Sequence, residues 1–193
     1  MGKIKSALEL AMEKTADMTV DREKLKQNEL RKAGQILASS ILNSEEKDCE
    51  SKLKSYSSAD LPFVKSGFGE TLISNIRLPL YLNSDNKLKI LQKSFRFISE
   101  REEIYTLVFN QLGQLFDKYI DDIQNLLEGL KQQYIPILQQ KQQQYFQKTG
   151  QNIQINPEQD PEFMEILSSN RKALEEQYNT VIAQAKDELK KII

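Results

Sequence analysis

Three aspartates crowd the stretch FDKYIDDIQ. On a helix Asp117 and Asp121 would stand one turn apart, close enough to share a cation, with Asp122 beside them. Hard divalent ions collect about six to eight oxygen ligands. Two aspartates fall well short of that unless a facing element helps, and the charged outer side of a helix explains them without an ion. No metal site is expected here. Lys89, Lys93 and Arg96 recur at spacings of four and three, which places them on one helix face opposite Leu91 and Ile98. Such a face can hold a phosphate backbone or an acidic partner. The stripe is short, however, and Arg101 is followed at once by Glu102 and Glu103. A solvated helix face is the simpler reading, so nucleic acid is not the expected partner. SGFGET offers a Gly-x-Gly, yet the third glycine position of the dinucleotide fingerprint holds Leu72 and no Gly-Lys-Ser/Thr follows. Gly67 and Gly69 are expected to make a turn, not a phosphate cradle.

Composition narrows the chemistry further. The 193 residues contain no histidine, no tryptophan and one cysteine. Without imidazole the side chain best matched to proton transfer near neutral pH is missing. Ser–His and Cys–His pairs cannot be built from this chain, nor can His-containing zinc sites or Glu-x-x-His di-iron sites. Cys49 lies among carboxylates in EEKDCES, which disfavours its thiolate. Carboxylate, lysine or metal catalysis remains open in principle, but no motif points to a catalytic residue or a cofactor. Lys and Arg number 27 against 28 Asp and Glu, so no global charge draws the chain to nucleic acid or anionic lipid. No apolar run is long enough to span a bilayer and the start lacks a secretory pattern, which suggests a cytosolic protein.

The elements that would carry these residues read as helices. Ile4, Leu8, Ala11 and Met12 share one face of a short amphipathic helix over 3–16. Thr19 and Asp21 offer N-cap oxygens for a second helix running to about residue 43, with Leu25, Ala33, Ile36, Leu37 and Ile41 inward. Gly34 and Ala38 would let another helix approach closely. Residues 44–60 are polar and suit a frayed helix or linker. LPFVKSGFGETLISNIRLPLYLNSD contains Pro62, Gly67, Gly69 and Pro79, which argues against a long helix. Leu72, Ile73 and Ile76 suit a short helix or a strand there. So apolar a segment must be covered, by its own fold or by a partner.

From Asp85 the pattern lengthens. Phe109, Phe116, Ile123, Leu130 and Ile137 fall seven apart, with Leu112, Tyr119 and Leu126 as companions. That is an a/d seam asking for one facing helix. Pro136 should kink it, and the glutamine-rich stretch near 139–156 would form a wet tip. Asn156-Pro157 and Asp160-Pro161 each set a capping side chain before a proline at the first helical position. The last helix presents Phe163, Leu167, Leu174, Tyr178, Val181, Ala185, Leu189 and Ile192 on one side. The expected fold is all-α: a compact helical base over 1–84 and a long antiparallel, coiled-coil-like hairpin over 85–193, together one folding unit.

GKIKSALELAMEKTAD, AGQILASSIL and NIRLPLYL together resemble an uncharacterised family of helical bacterial proteins found in spirochaetes and delta-type proteobacteria. The residues that carry the likeness are Gly2 to Glu9, Gly34, Ala38, Leu78 and Pro79. No activity is assigned to that family, so the resemblance implies a bacterial source and little more. Gly2 with Ser6 also fits the Met-Gly-x-x-x-Ser/Thr myristoylation pattern. A bacterial cell is not expected to hold the eukaryotic acyl-transferase that reads it, and one such chain anchors only marginally. Gly2 and Ser6 therefore read as the lead-in of a helix.

The function expected from these features is contact rather than catalysis: an adaptor or scaffold binding a protein partner or itself. Its candidate surface comprises Ile4, Leu8, Ala11 and Met12 with Phe63 and Phe68 of the apolar segment. The alternative is a nucleic-acid- or ribosome-associated protein using Lys89, Lys93 and Arg96.

Overall fold

The computed structural model describes the backbone of residues 7–43, 48–79 and 85–193, and side chains of 22–43, 48–79 and 87–193. Among these residues every regular element is a helix. They are α1 (Ala7–Leu42), α2 (Cys49–Lys54), α3 (Leu61–Ser74), α4 (Asp85–Phe95), α5 (Glu102–Thr149), a 3-10 turn (Pro157–Gln159) and α6 (Pro161–Lys190). The chain divides into two compact units. One comprises residues up to Ile76 with Lys89–Thr106 and Glu188–Ile193; the other comprises Arg77–Leu88 with Leu107–Asp187.

In the first unit α1 is continuous, and the expected break before residue 19 does not occur. Thr19 and Asp21 lie inside the helix. No proline or glycine interrupts the chain between Ala7 and Ala33, and capping residues cost little in a helix interior that good helix formers already propagate. The second departure is larger. A 14-residue helix, α3, runs through Gly67 and Gly69, where turns were expected. Pro62 sits in its first turn, where a missing N–H costs nothing.

The glycines serve a close approach instead. A Cβ on Gly34 would lie 2.0 Å from the Val64 carbonyl oxygen, and one on Gly67 would lie 2.0 Å from the Arg31 carbonyl oxygen. The backbones of α1 and α3 thus touch with no side chain between them, the role expected of Gly34. Ala38 is fully buried beside it. Lys26 meets Asp60, the residue preceding α3, at 2.8 Å. Most apolar residues of α3 are covered: Val64, Phe68 and Leu72 have no exposed surface and Ile73 is buried, as is Ile76 just beyond the helix.

The phase of α1 also differs from the expected one. Leu37 is buried and Ala33 and Ile41 are half-buried, but Leu25 and Ile36 are 62% and 67% exposed. The face is set by Gly34, which α3 grips, and Leu25 and Ile36 project from the opposite side. Elsewhere in this unit Cys49, Leu53, Leu91, Phe95 and Ile98 are buried, the Phe95 and Tyr105 rings lie 5.9 Å apart, and Ser99 Oγ donates to the Ile192 carbonyl at 2.8 Å.

In the second unit α5 and α6 are paired. Tyr119 stacks edge-on with Tyr178 at 5.2 Å, and Tyr134 lies 5.2 Å from Phe163. Contacts advance along α5 as they retreat along α6, which is antiparallel pairing. Phe109, Leu112, Phe116 and Tyr119 are buried as the seven-residue pattern predicts; further on, Ile137 is 36% exposed, and Tyr134 and Leu138 are buried in its place. A straight α-helix drifts about 20° per heptad, so four heptads turn Ile137 about 80° from Phe109. The buried track keeps the helical period rather than the coiled-coil one. On α6 Phe163, Tyr178 and Ile182 are buried, while Val181 is exposed.

Helix α5 continues through Pro136, which is exposed, and through the glutamines to Thr149. Gly150 then takes a positive φ of 68°, a conformation that favours glycine, and its N–H bonds the Phe146 carbonyl at 2.8 Å. The capping reading holds: Asn156 Oδ1 accepts from the Glu158 N–H at 3.0 Å, and Asp160 Oδ1 accepts from the Glu162 N–H at 3.0 Å.

Candidate partner-binding surface

Of the residues expected at a partner surface, Ile4 lies outside the described residues. Leu8, Ala11 and Met12 belong to the backbone of α1, and their side chains lie outside the described set. Phe63 is half-buried, whereas Phe68 is fully buried. Phe68 is therefore core, because the segment carrying it folds as a helix against α1 and not as a loop. Lys89, Lys93 and Arg96 are all exposed. Lys89 and Lys93 stand one turn apart on α4, and Arg96 follows its last residue, Phe95, with its guanidinium 4.8 Å above the Phe97 ring.

Two apolar stripes are exposed that the sequence pattern did not single out. On α1 they are Leu25 and Ile36. On α5 they are Ile135 and Phe146, 41% and 47% exposed, with Gln139 and Gln142 between them. Each pair is eleven residues apart, just over three whole turns, so each lies nearly along one line of its helix. Tyr145 on α5 and Met164 on α6 are also substantially exposed. The signal that would have found Leu25 and Ile36 is the glycine at position 34, which fixes the opposite side as the inner one.

The side chains between α5 and α6 hold those helices firmly. Tyr178 donates to Asp122 Oδ2 at 2.5 Å, and Tyr119 donates to Glu175 Oε1 at 3.2 Å. At the N-terminus of α6, Lys141 Nζ reaches Asp160 Oδ2 at 2.6 Å, Glu162 Oε2 at 2.9 Å and the Tyr134 hydroxyl at 3.0 Å. Tyr134 in turn donates to Asp160 Oδ1 at 3.3 Å. Lys131 meets Glu158 at 2.5 Å.

These groups are the carboxylate, lysine and tyrosine set that histidine-free catalysis would use, and their protonation states are pushed away from neutrality. Lys141 is raised above the usual lysine range by its bonds to Asp160, Tyr134 and Glu162. Asp160 and Glu162 are lowered, in each case chiefly by Lys141. Burial, with the neighbouring Asp122 carboxylate, pushes Tyr178 up to about 12. Burial likewise raises Tyr134 and Tyr119. These shifts favour the charged forms of Lys141, Asp160 and Glu162 and the protonated phenols of Tyr134, Tyr119 and Tyr178 at neutral pH.

Asp117 and Asp121 are exposed, and Asp122 is taken by Tyr178. Among the described residues no three acidic, cysteine or histidine side chains gather where a metal could be held, and no helix is long and apolar enough to cross a membrane.

A family model described as "Family of unknown function (DUF6657)" matches residues 50–191. That span contains NIRLPLYL and excludes the first two stretches that carried the family resemblance. No curated protein and no solved structure matches the chain.

Proposed function

The chain belongs to this family of unknown function, and from that premise we propose that it is a non-catalytic helical adaptor or scaffold, cytosolic, that presents helix surfaces to protein partners. The observation that carries the reading is the stripe of Ile135 and Phe146, large apolar side chains left in solvent on the longest described helix. Large side chains that become desolvated on contact supply most of the energy of protein interfaces. The charge states around Lys141 and the raised tyrosines support contact over catalysis, since none is tuned for proton transfer near neutral pH. The chain's lack of histidine points the same way.

The test is purification from native cells under gentle crosslinking, using wild type and an Ile135→Ser/Phe146→Ser variant. A defined companion protein recovered with wild type and lost with the variant is the expected result. Wild type recovered with no enriched companion ends this reading.

A further inference from the structure

Helix α1 carries apolar side chains on two opposite faces. One face, with Gly34, Leu37 and Ala38, is closed by α3. The other holds Leu25 and Ile36, which at 62% and 67% are the most exposed large hydrophobic residues among those described. Their spacing offsets them by only about 20° around the helix. Glu29 and Lys32, both exposed, lie along the same stripe between them.

The order on this stripe is leucine, acid, base, isoleucine, and it is complementary to its own reverse. The geometry points to α1 as the contact between two copies of this chain, laid antiparallel about a twofold axis that passes midway between residues 30 and 31. In that register Leu25 meets Ile36 of the second copy and Glu29 meets Lys32 of the second copy, and symmetry makes each contact twice. A parallel pairing would set Glu29 on Glu29 and Lys32 on Lys32, so the charges select the antiparallel arrangement. A hollow of about 300 Å³, lined by Ala33, Ile36 and Ser40 of α1 and by Lys52, Ser55 and Tyr56, adjoins the Ile36 end of the stripe. Another of about 420 Å³ flanks Leu25, Asn28 and Gln35. This contact is independent of the adaptor reading, which rests on α5.

The test is sedimentation equilibrium of the full chain from ~1 to ~200 µM. A dimer whose population rises with concentration is expected. Ile36→Glu should raise the dimer dissociation constant by about tenfold or more, because it places a charge in the apolar contact twice over. Glu29→Lys alone, or Lys32→Glu alone, should weaken the dimer by about three- to tenfold, and the difference should shrink in high salt. The E29K/K32E double variant restores opposite charges across the axis and should return to within about twofold of wild type. All these positions are exposed and face away from α3, and circular dichroism checks that the variants keep their helix content. A wild type that stays monomeric throughout overturns the proposal. So does a dimer indifferent to Ile36→Glu, or a double variant as weak as the singles. Ile135→Ser/Phe146→Ser should leave the dimer unchanged, which separates this outcome from that of the adaptor test.

Discussion

At the crossing of α1 and α3 the nearest atoms are main chain, and a Cβ on Gly34 or Gly67 would fall 2.0 Å from a carbonyl oxygen of the other helix. Between α5 and α6 the meeting atoms are side-chain tips: Tyr178 on Asp122, Tyr119 on Glu175, Lys141 on Asp160. The first contact has no rotamer that can yield, so any added atom must move a whole helix. The second is made of groups that can turn, rehydrate or change protonation. A backbone crossing is therefore brittle toward sequence change and adds no titratable group of its own, and a side-chain one is the reverse.

The sharpest way to break this contrast is Gly67→Ala. One added methyl group should destabilise the first unit by about 3 kcal/mol or more, because backbone and not a flexible tip blocks it. Urea unfolding followed by circular dichroism measures it, and near-wild-type stability would mean the helices do not touch as described. Next in size is Asp160→Ala, which removes the α6 cap and an acceptor for Lys141 and Tyr134. The thermal midpoint should fall by about 3–6 °C. Because the carboxyl is held below its ordinary 3.8, its contribution is present above that pH and is lost as pH falls through the depressed value. The variant should lack that acid-dependent loss.

Tyr178→Phe should cost about 1 kcal/mol at neutral pH. Here the sign is opposite: the phenol is raised to about 12, so its contribution is intact below an ordinary tyrosine value of 10.0 and disappears as pH rises through about 12. An alkaline titration at 295 nm should lose its last-titrating tyrosine in the variant. The smallest change sharpens the comparison from the other side. Gly129 lies on α5 with nothing within 4 Å of a would-be Cβ, so Gly129→Ala should stabilise by about 0.5–1 kcal/mol. Urea unfolding should show a glycine tolerating alanine on α5 where α3 does not.

What could be read from the sequence was mostly what is local. Asn156 and Asp160 cap as expected because a capping bond spans only two or three residues. Gly34 was legible as a packing site, since a small residue on a helix has few other uses. Gly67 and Gly69 were not, because the same residue type ends a helix or admits a neighbour, and only the partner helix decides which. Leu25 and Ile36 fit an inward face by period alone; Gly34 sets the phase, and the period is blind to phase. Ile137 shows the remaining limit. A repeat of seven and a true helical repeat agree over two heptads and part company over four, so a seam counted in sevens misplaces its far end.

Pro136 has no amide hydrogen to offer, so the Gln132 carbonyl one turn earlier must find water, and Gln132 is exposed enough for that. The ladder of α5 is missing a rung there. Unzipping that starts at Thr149 can therefore stop at the proline without spreading through the whole rod. Deuterium should enter residues 142–149, beyond the bonds of Lys141 to Asp160 and Glu162, well before it reaches the amides ahead of Pro136, giving the end that carries Phe146 a looseness of its own.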